Sequence, residues 1–210
     1  MSTPNDPRAG RVRHRLAAQP VLDELGSLGF QVHQIPELRR FGASYAPAVP
    51  ALARHLAKID HAGVREELAR VLAVPWAREH ALAPLLEVFA RTPNSPPATK
   101  AALAAAIEAL ADASVESELV RLCTDRSHGS SRELLVLALG KLDSPAVADV
   151  LAELLRDRFV GGHAVQALLR ITERTRLDLD SAILKPFFND GRAWVRRAAR
   201  DLAAALQAKK

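Results

Sequence analysis

The sequence predicts an all-α protein, an α-solenoid of about five helical hairpins behind an N-terminal helical cap. Three observations carry this. Of the 210 residues, 39 are Ala and 31 are Leu, while Val and Ile together number 21, a composition that favours helix over strand. Apolar residues recur at helical spacing, as in Val64, Leu68, Val71 and Leu72 or Leu103, Ile107 and Leu110. Such stripes arrive in pairs, separated by turns rich in Pro, Gly, Asp and Ser.

Residues 1–16 are polar and basic, and are expected to stay unfolded as a leader. Residues 17–43 place Val21, Leu22, Leu25 and Leu28 at helical spacing before Gly26, Gly29 and Pro36 interrupt, which predicts an irregular helical cap. The hairpins are then expected at 45–60 with 61–74, 77–91 with 97–111, 114–125 with 130–142, 145–157 with 161–175, and 180–189 with 192–207. Ser44, Ser114, Ser144 and Asp180 suit N-cap positions, Ser130 or Ser131 suits the cap of the helix that follows, and Pro97 and Pro145 suit first turns. A pair of short helices cannot bury its own stripe, so neighbouring pairs must stack, and the Ala residues at 101–106 and 203–205 permit close approach.

Internal similarity supports a repeating unit. The segment 132–155 aligns with 100–123 at a spacing of 32, and 138–142 aligns with 167–171 at a spacing of 29. The segments DSPAVADVLAELLRDRFVGGHAVQALLRI (143–171) and AILKPFFNDGRAWVRRAARDLAAAL (182–206) resemble the HEAT-like repeats of the phycobilisome-lyase type found in many bacterial proteins. The similarity runs over about 45–207 and concerns fold more than function. In such repeats, the resemblance implies, Asp and Arg at the turns stack into a ladder; the matching pairs are Asp60 with Arg65, Asp125 with Arg132, and Asp190 with Arg196.

Charge is uneven. The net charge is +5, and the excess sits at the ends: residues 1–16 carry four Arg against Asp6, and 192–210 carry four Arg and two Lys against Asp201. The middle is mildly acidic. One cysteine excludes an internal disulfide and a cysteine-built metal site, and the expected compartment is the cytoplasm. No apolar run reaches the roughly 20 residues of a membrane span.

Catalytic chemistry finds little footing. The seven His residues include no pair at the i, i+4 spacing of a helix-borne metal site, so no metal or cofactor is expected. Cys123 falls in the apolar run LVRLC and reads as core. Asp125, His128, Ser130 and Ser131 are adjacent loop residues, which rarely meet triad geometry. Related HEAT-like repeats serve bilin lyases and alkylpurine DNA glycosylases, the latter using Trp and Asp in a concave cleft. Trp76 and Trp194 stand beside basic residues here, but with nine aromatics in all they read as packing residues.

The expected function is therefore non-enzymatic: an adaptor or scaffold that docks a protein partner, such as an acidic helix or tail, on the concave face of the second helices. The residues expected on that face are Arg70, Lys100, Arg132, Val136, Gln166, Arg170, Arg197 and Arg200, with Val136 as an apolar anchor. The alternative is nucleic-acid binding through the basic ends, including glycosylase-like recognition of DNA. No membrane partner is expected.

Overall fold

Short amphipathic stripes cannot stand alone in water, and in the computed structural model, which describes residues 7–177 and 179–208, each is buried against a neighbour. The described chain is all-helical, with no strand among the described residues. No helix in it is long and apolar enough to cross a membrane. It divides into two compact units, Met1–Leu110 and Ala111–Lys210, taken here in turn.

The first unit contains α1 (Pro7–Ser27), a 3₁₀ segment over Ile35–Ala48, and α2 (Val49–Lys58), α3 (Ala62–Leu72), α4 (Arg78–Arg91) and α5 (Pro97–Leu110). α2 and α3 form one hairpin, α4 and α5 the next, as the stripes require. First helix packs on first and second on second, α2 against α4 and α3 against α5. Leu52, Leu56, Leu68, Leu72, Leu85, Phe89, Leu103 and Ile107 are fully buried between them. α1 lies on α2 and α3, which corrects the expectation of an unfolded leader over its described part. The helix, described from Pro7 onward, is tied down where His14 Nε2 meets Glu67 at 3.2 Å. Residues 1–6 of that expected leader lie outside the described residues.

The second unit contains α6 (Glu116–Thr124), a 3₁₀ segment over Arg126–Arg132 running into α7 (Glu133–Leu139), then α8 (Pro145–Leu154), α9 (Gly161–Thr172), a 3₁₀ segment over Ser181–Asn189, and α10 (Ala193–Ala208). The stacking rule repeats: α6 touches α8, α7 touches α9, and α9 carries α10. α7 and α9 approach so closely that a Cβ on Gly140 would lie 2.8 Å from the Ala167 Cα.

Helix starts follow the sequence in part. Asp180 caps its segment by accepting from Ala182 N at 2.9 Å, and Pro97 and Pro145 open α5 and α8. Ser144 occupies the N-cap of α8, but its hydroxyl turns to Glu116 Oε1 at 2.8 Å. The other expected caps are corrected. Asp112 caps the turn before α6 by accepting from Ser114 N, because a carboxylate placed two residues upstream reaches that amide first. Ser44 lies inside a 3₁₀ segment, and neither Ser130 nor Ser131 caps α7, whose N-cap position is held by Arg132. Chain reversal there uses Gly129, whose φ of 56° only glycine adopts freely.

Candidate functional site

The residues expected on one partner face separate into three groups. Lys100, Arg132 and Val136 are corrected: all three are buried, with Lys100 2% and Arg132 0% exposed. Each has a local physical reason. Lys100 Nζ donates to the Thr92 carbonyl at 2.8 Å and sits 4.8 Å from the centre of the Phe89 ring, so its charge is met inside the loop that joins α4 to α5. Arg132 uses three nitrogens at once, donating to Gly129 O, Cys123 O and Asp157 Oδ2, each at 2.9 Å. Val136 falls on the covered stripe of α7 beside Leu135 and Leu139.

Arg70, in the first unit, is exposed and paired with Glu66 one turn back at 2.5 Å. The other four are gathered in the second unit. Gln166 and Arg170 lie half-buried on α9, and Arg197 and Arg200 are exposed on α10, the helix packed against it. Arg170 also braces α7, donating to Leu137 O at 3.3 Å. Arg197 approaches Asp201 at 3.8 Å, a loose exposed pair that leaves its charge largely available.

The N-terminal ends of these helices, with that of α7, bring Trp194, His163, Arg192 and Glu133 together. Trp194, near the start of α10, is 39% exposed rather than packed away. Its ring lies 4.9 Å from that of His163 on α9, and the Arg192 guanidinium sits 5.3 Å from its centre. Glu133, which opens α7, faces His163 Nε2 at 3.9 Å. Burial pushes the His163 pKa down, with Arg192 adding to it, so the ring is neutral at pH 7, and its Nδ1 is buried without a hydrogen-bond partner. Burial also lifts the Glu133 carboxyl above its ordinary value, against the pull of Arg192. Arg192 itself is held by Asp190, donating from Nε and Nη2 at 3.0 Å each, and Asp190 drops to about 2. One signal could have found Trp194: it shares a helical phase with Arg197 and Asp201, both outward.

The expected Asp and Arg ladder takes a different form from turn to turn. Arg65 meets Asp60 at 3.4 Å. Arg132 passes over Asp125 and bonds Asp157 of the following hairpin. Arg196 ignores the Asp190 carboxylate, already taken by Arg192, and donates to the carbonyls of Asp190 and Gly191 at 2.7 and 3.0 Å. What the three share is a guanidinium on the carbonyls that end the first helix of the hairpin, at Ile59, Cys123 and Asp190. Cys123 is fully buried, and burial pushes its thiol far up, which leaves it unreactive. Trp76 packs edge-on to Tyr45 with ring centres 5.8 Å apart.

Comparison with protein-family models, with curated proteins and with solved structures finds no match to this chain.

Proposed function

We propose that the protein is a non-enzymatic interaction module which docks an acidic helix or tail on the outward face of α9 and α10. The observation that carries this reading is that two helices packed on one another bear exposed Arg197 and Arg200, half-buried Gln166 and Arg170, and the exposed Trp194. Tryptophan and arginine dominate the energetics of protein interfaces, and guanidinium groups steer acidic partners. We read the hairpins as HEAT-like repeats. The stacking of first on first and second on second helices within each unit supports this, as do arginine-to-carbonyl bonds that recur across 31–34 residues: Arg39 to Arg70, Arg78 to Leu110, Arg170 to Leu137 and Arg174 to Gly140. The lone buried thiol suits a reducing cytoplasm.

Nucleic-acid binding through the basic ends has less support, because Arg192 and Arg196 are taken up by Asp190 and by turn carbonyls. The test is fluorescence anisotropy with a labelled Glu-rich helical peptide and, separately, a 20-base-pair duplex. The peptide is expected to bind the wild type and to lose about tenfold or more in affinity for the Arg197→Glu/Arg200→Glu variant. Equal binding by the variant, or binding confined to the duplex, would remove this reading.

A further inference from the structure

The turn from α8 to α9 shares no residue with the docking face and carries a second, differently built feature. Asp157 organises it. Its Oδ1 accepts from the backbone N–H groups of Phe159 at 2.9 Å and Val160 at 3.3 Å, while Oδ2 takes the buried Arg132 at 2.9 Å. The reversal is also tight: a Cβ on Gly161 would lie 2.7 Å from the Leu155 carbonyl oxygen. Residues 156–159 are thus held in one shape before any ligand arrives.

That shape presents a concavity of about 410 Å³ lined by Arg126, Arg132, Arg156, Asp157, Arg158 and Phe159, four arginines against a single carboxylate. The carboxylate is already consumed by Arg132 and two amides, and Arg126 stands 3.9 Å from it. Arg156 and Arg158 have no carboxylate partner among the described residues, and both are exposed. The Arg158 guanidinium instead lies 4.5 Å from the centre of the Phe159 ring, which is itself 37% exposed and fixes the direction of the charge. Four guanidinium groups lining one concavity with a single, already shared carboxylate leave an excess of positive charge and favour a doubly charged oxyanion, which planar Arg groups meet with paired hydrogen bonds.

Beside it lies an apolar pocket of about 370 Å³, formed by Leu155, Ile183, Pro186 and Phe187 together with Ala182, and Arg156 borders both. A free anion has no use for that neighbour, and a nucleic-acid backbone needs charge along a track rather than charge next to oil. A peptide uses both.

We propose that this turn binds a phosphorylated serine or threonine side chain of a partner protein, with a neighbouring apolar residue of the same segment entering the pocket at Ile183 and Phe187. Arg126, Arg156 and Arg158 hold the phosphoryl group. Asp157 and Arg132 are positioning residues that fix the turn. The site shares no residue with the face on α9 and α10, so either can fail alone.

The experiment passes a degenerate phosphoserine and phosphothreonine peptide library, and its unphosphorylated counterpart, over the immobilised full chain. Inorganic phosphate and a 20-base-pair duplex serve as competitors. Because the two substituted side chains are exposed, Arg156→Ala/Arg158→Ala is expected to keep the wild-type urea midpoint. The phosphorylated library is expected to be retained at least about tenfold over the other, with Leu, Ile or Phe enriched near the phosphorylated position. Retention should be lost in Arg156→Ala/Arg158→Ala and kept in Arg197→Glu/Arg200→Glu. Equal retention of the two libraries, or retention unaffected by Arg156→Ala/Arg158→Ala, would overturn the proposal. So would displacement by inorganic phosphate at peptide-like concentrations, which would mark a free-anion site, or by the duplex, which would mark a nucleic-acid site.

Discussion

The two units spend the same charged residues in different ways. In the first, cations are set one by one on backbone carbonyls: Arg39 on Arg70, Arg65 on Ile59, Arg78 on Leu110, Arg91 on Ala57 and Lys100 on Thr92. In the second, Arg170, Arg174 and Arg196 also sit on carbonyls, but Asp157 draws in Arg132 and Arg126, Asp190 holds Arg192, and both carboxyls titrate below their ordinary value. Glu133, Asp157, His163, Asp190 and Arg192 of the second unit are shifted from their ordinary values, as is Tyr45 of the first. A cation on a carbonyl finishes a helix end and asks nothing further of its surroundings. Arg156, Arg158, Arg197 and Arg200 of the second unit are exposed and held by neither Asp157 nor Asp190, and this is the physical basis for proposing the working surfaces there.

The sharpest way to break this contrast is to cut the same motif in both units. Arg132→Met strands a buried Asp157 and the Cys123 and Gly129 carbonyls, and is expected to cost about 3–5 kcal/mol in urea unfolding. If it cost no more than removing an exposed pair, Asp157 would not be the keystone of its turn. Next in size is Lys100→Ala in the first unit. Losing a charged hydrogen bond to Thr92 and the buried stem against Phe89 should cost about 2–3 kcal/mol by the same assay. Gly140→Ala probes the close approach of α7 and α9; pushing Cβ into Ala167 should cost about 2 kcal/mol and lower the melting temperature.

The pH response should be shaped by the second unit, and the signs differ by group. Asp157 and Asp190 titrate below their ordinary value of 3.8 in the fold, Asp190 at about 2, so the stability they add is present above that ordinary value and is lost as pH falls through their folded values. His163 is a base with a lowered pKa, so the unfolded chain takes the proton first and stability falls as pH drops below its ordinary 6.5. Glu133, raised by burial, acts in the opposite sense: its contribution is present below its ordinary 4.5 and is lost as pH rises through the folded value. Urea midpoints taken from pH 7 down to pH 5 should therefore decline, and His163→Gln should flatten that decline. The smallest effect belongs to Asp60→Ala. Asp60 is fully exposed and stands 3.4 Å from Arg65, so its removal should change stability by less than about 0.5 kcal/mol.

Helix pairing was legible because burial of a stripe is a local demand, written at i, i+3, i+4 and i+7 in each segment. The five expected hairpins all appear, with ends displaced by a few residues. Which polar side chain on a helix is covered is not a local property, and there the reading failed. Lys100 looks solvent-facing in an Ala-rich helix until the 92–96 loop folds over it, and Arg132 looks like a surface residue until Asp157, 25 positions away, arrives to receive it. Trp194 went the other way, since its exposure depends on His163 and Arg192 meeting its ring rather than on the core closing over it. The basic concavity at Arg156 and Arg158 was illegible for the same reason: Arg126 comes from a different hairpin.

The central claim, that the second unit bears the docking face while the first unit's cations serve its own fold, is tested most directly by titrating one labelled Glu-rich helical peptide against three proteins. These are the wild type, Arg70→Glu and Arg197→Glu/Arg200→Glu, with anisotropy read at low and moderate salt. Arg70 is already paired with Glu66, so its reversal is predicted to leave peptide affinity within about twofold, while reversal on α10 weakens it about tenfold or more. Equal losses in both variants, or loss in Arg70→Glu alone, would contradict the assignment.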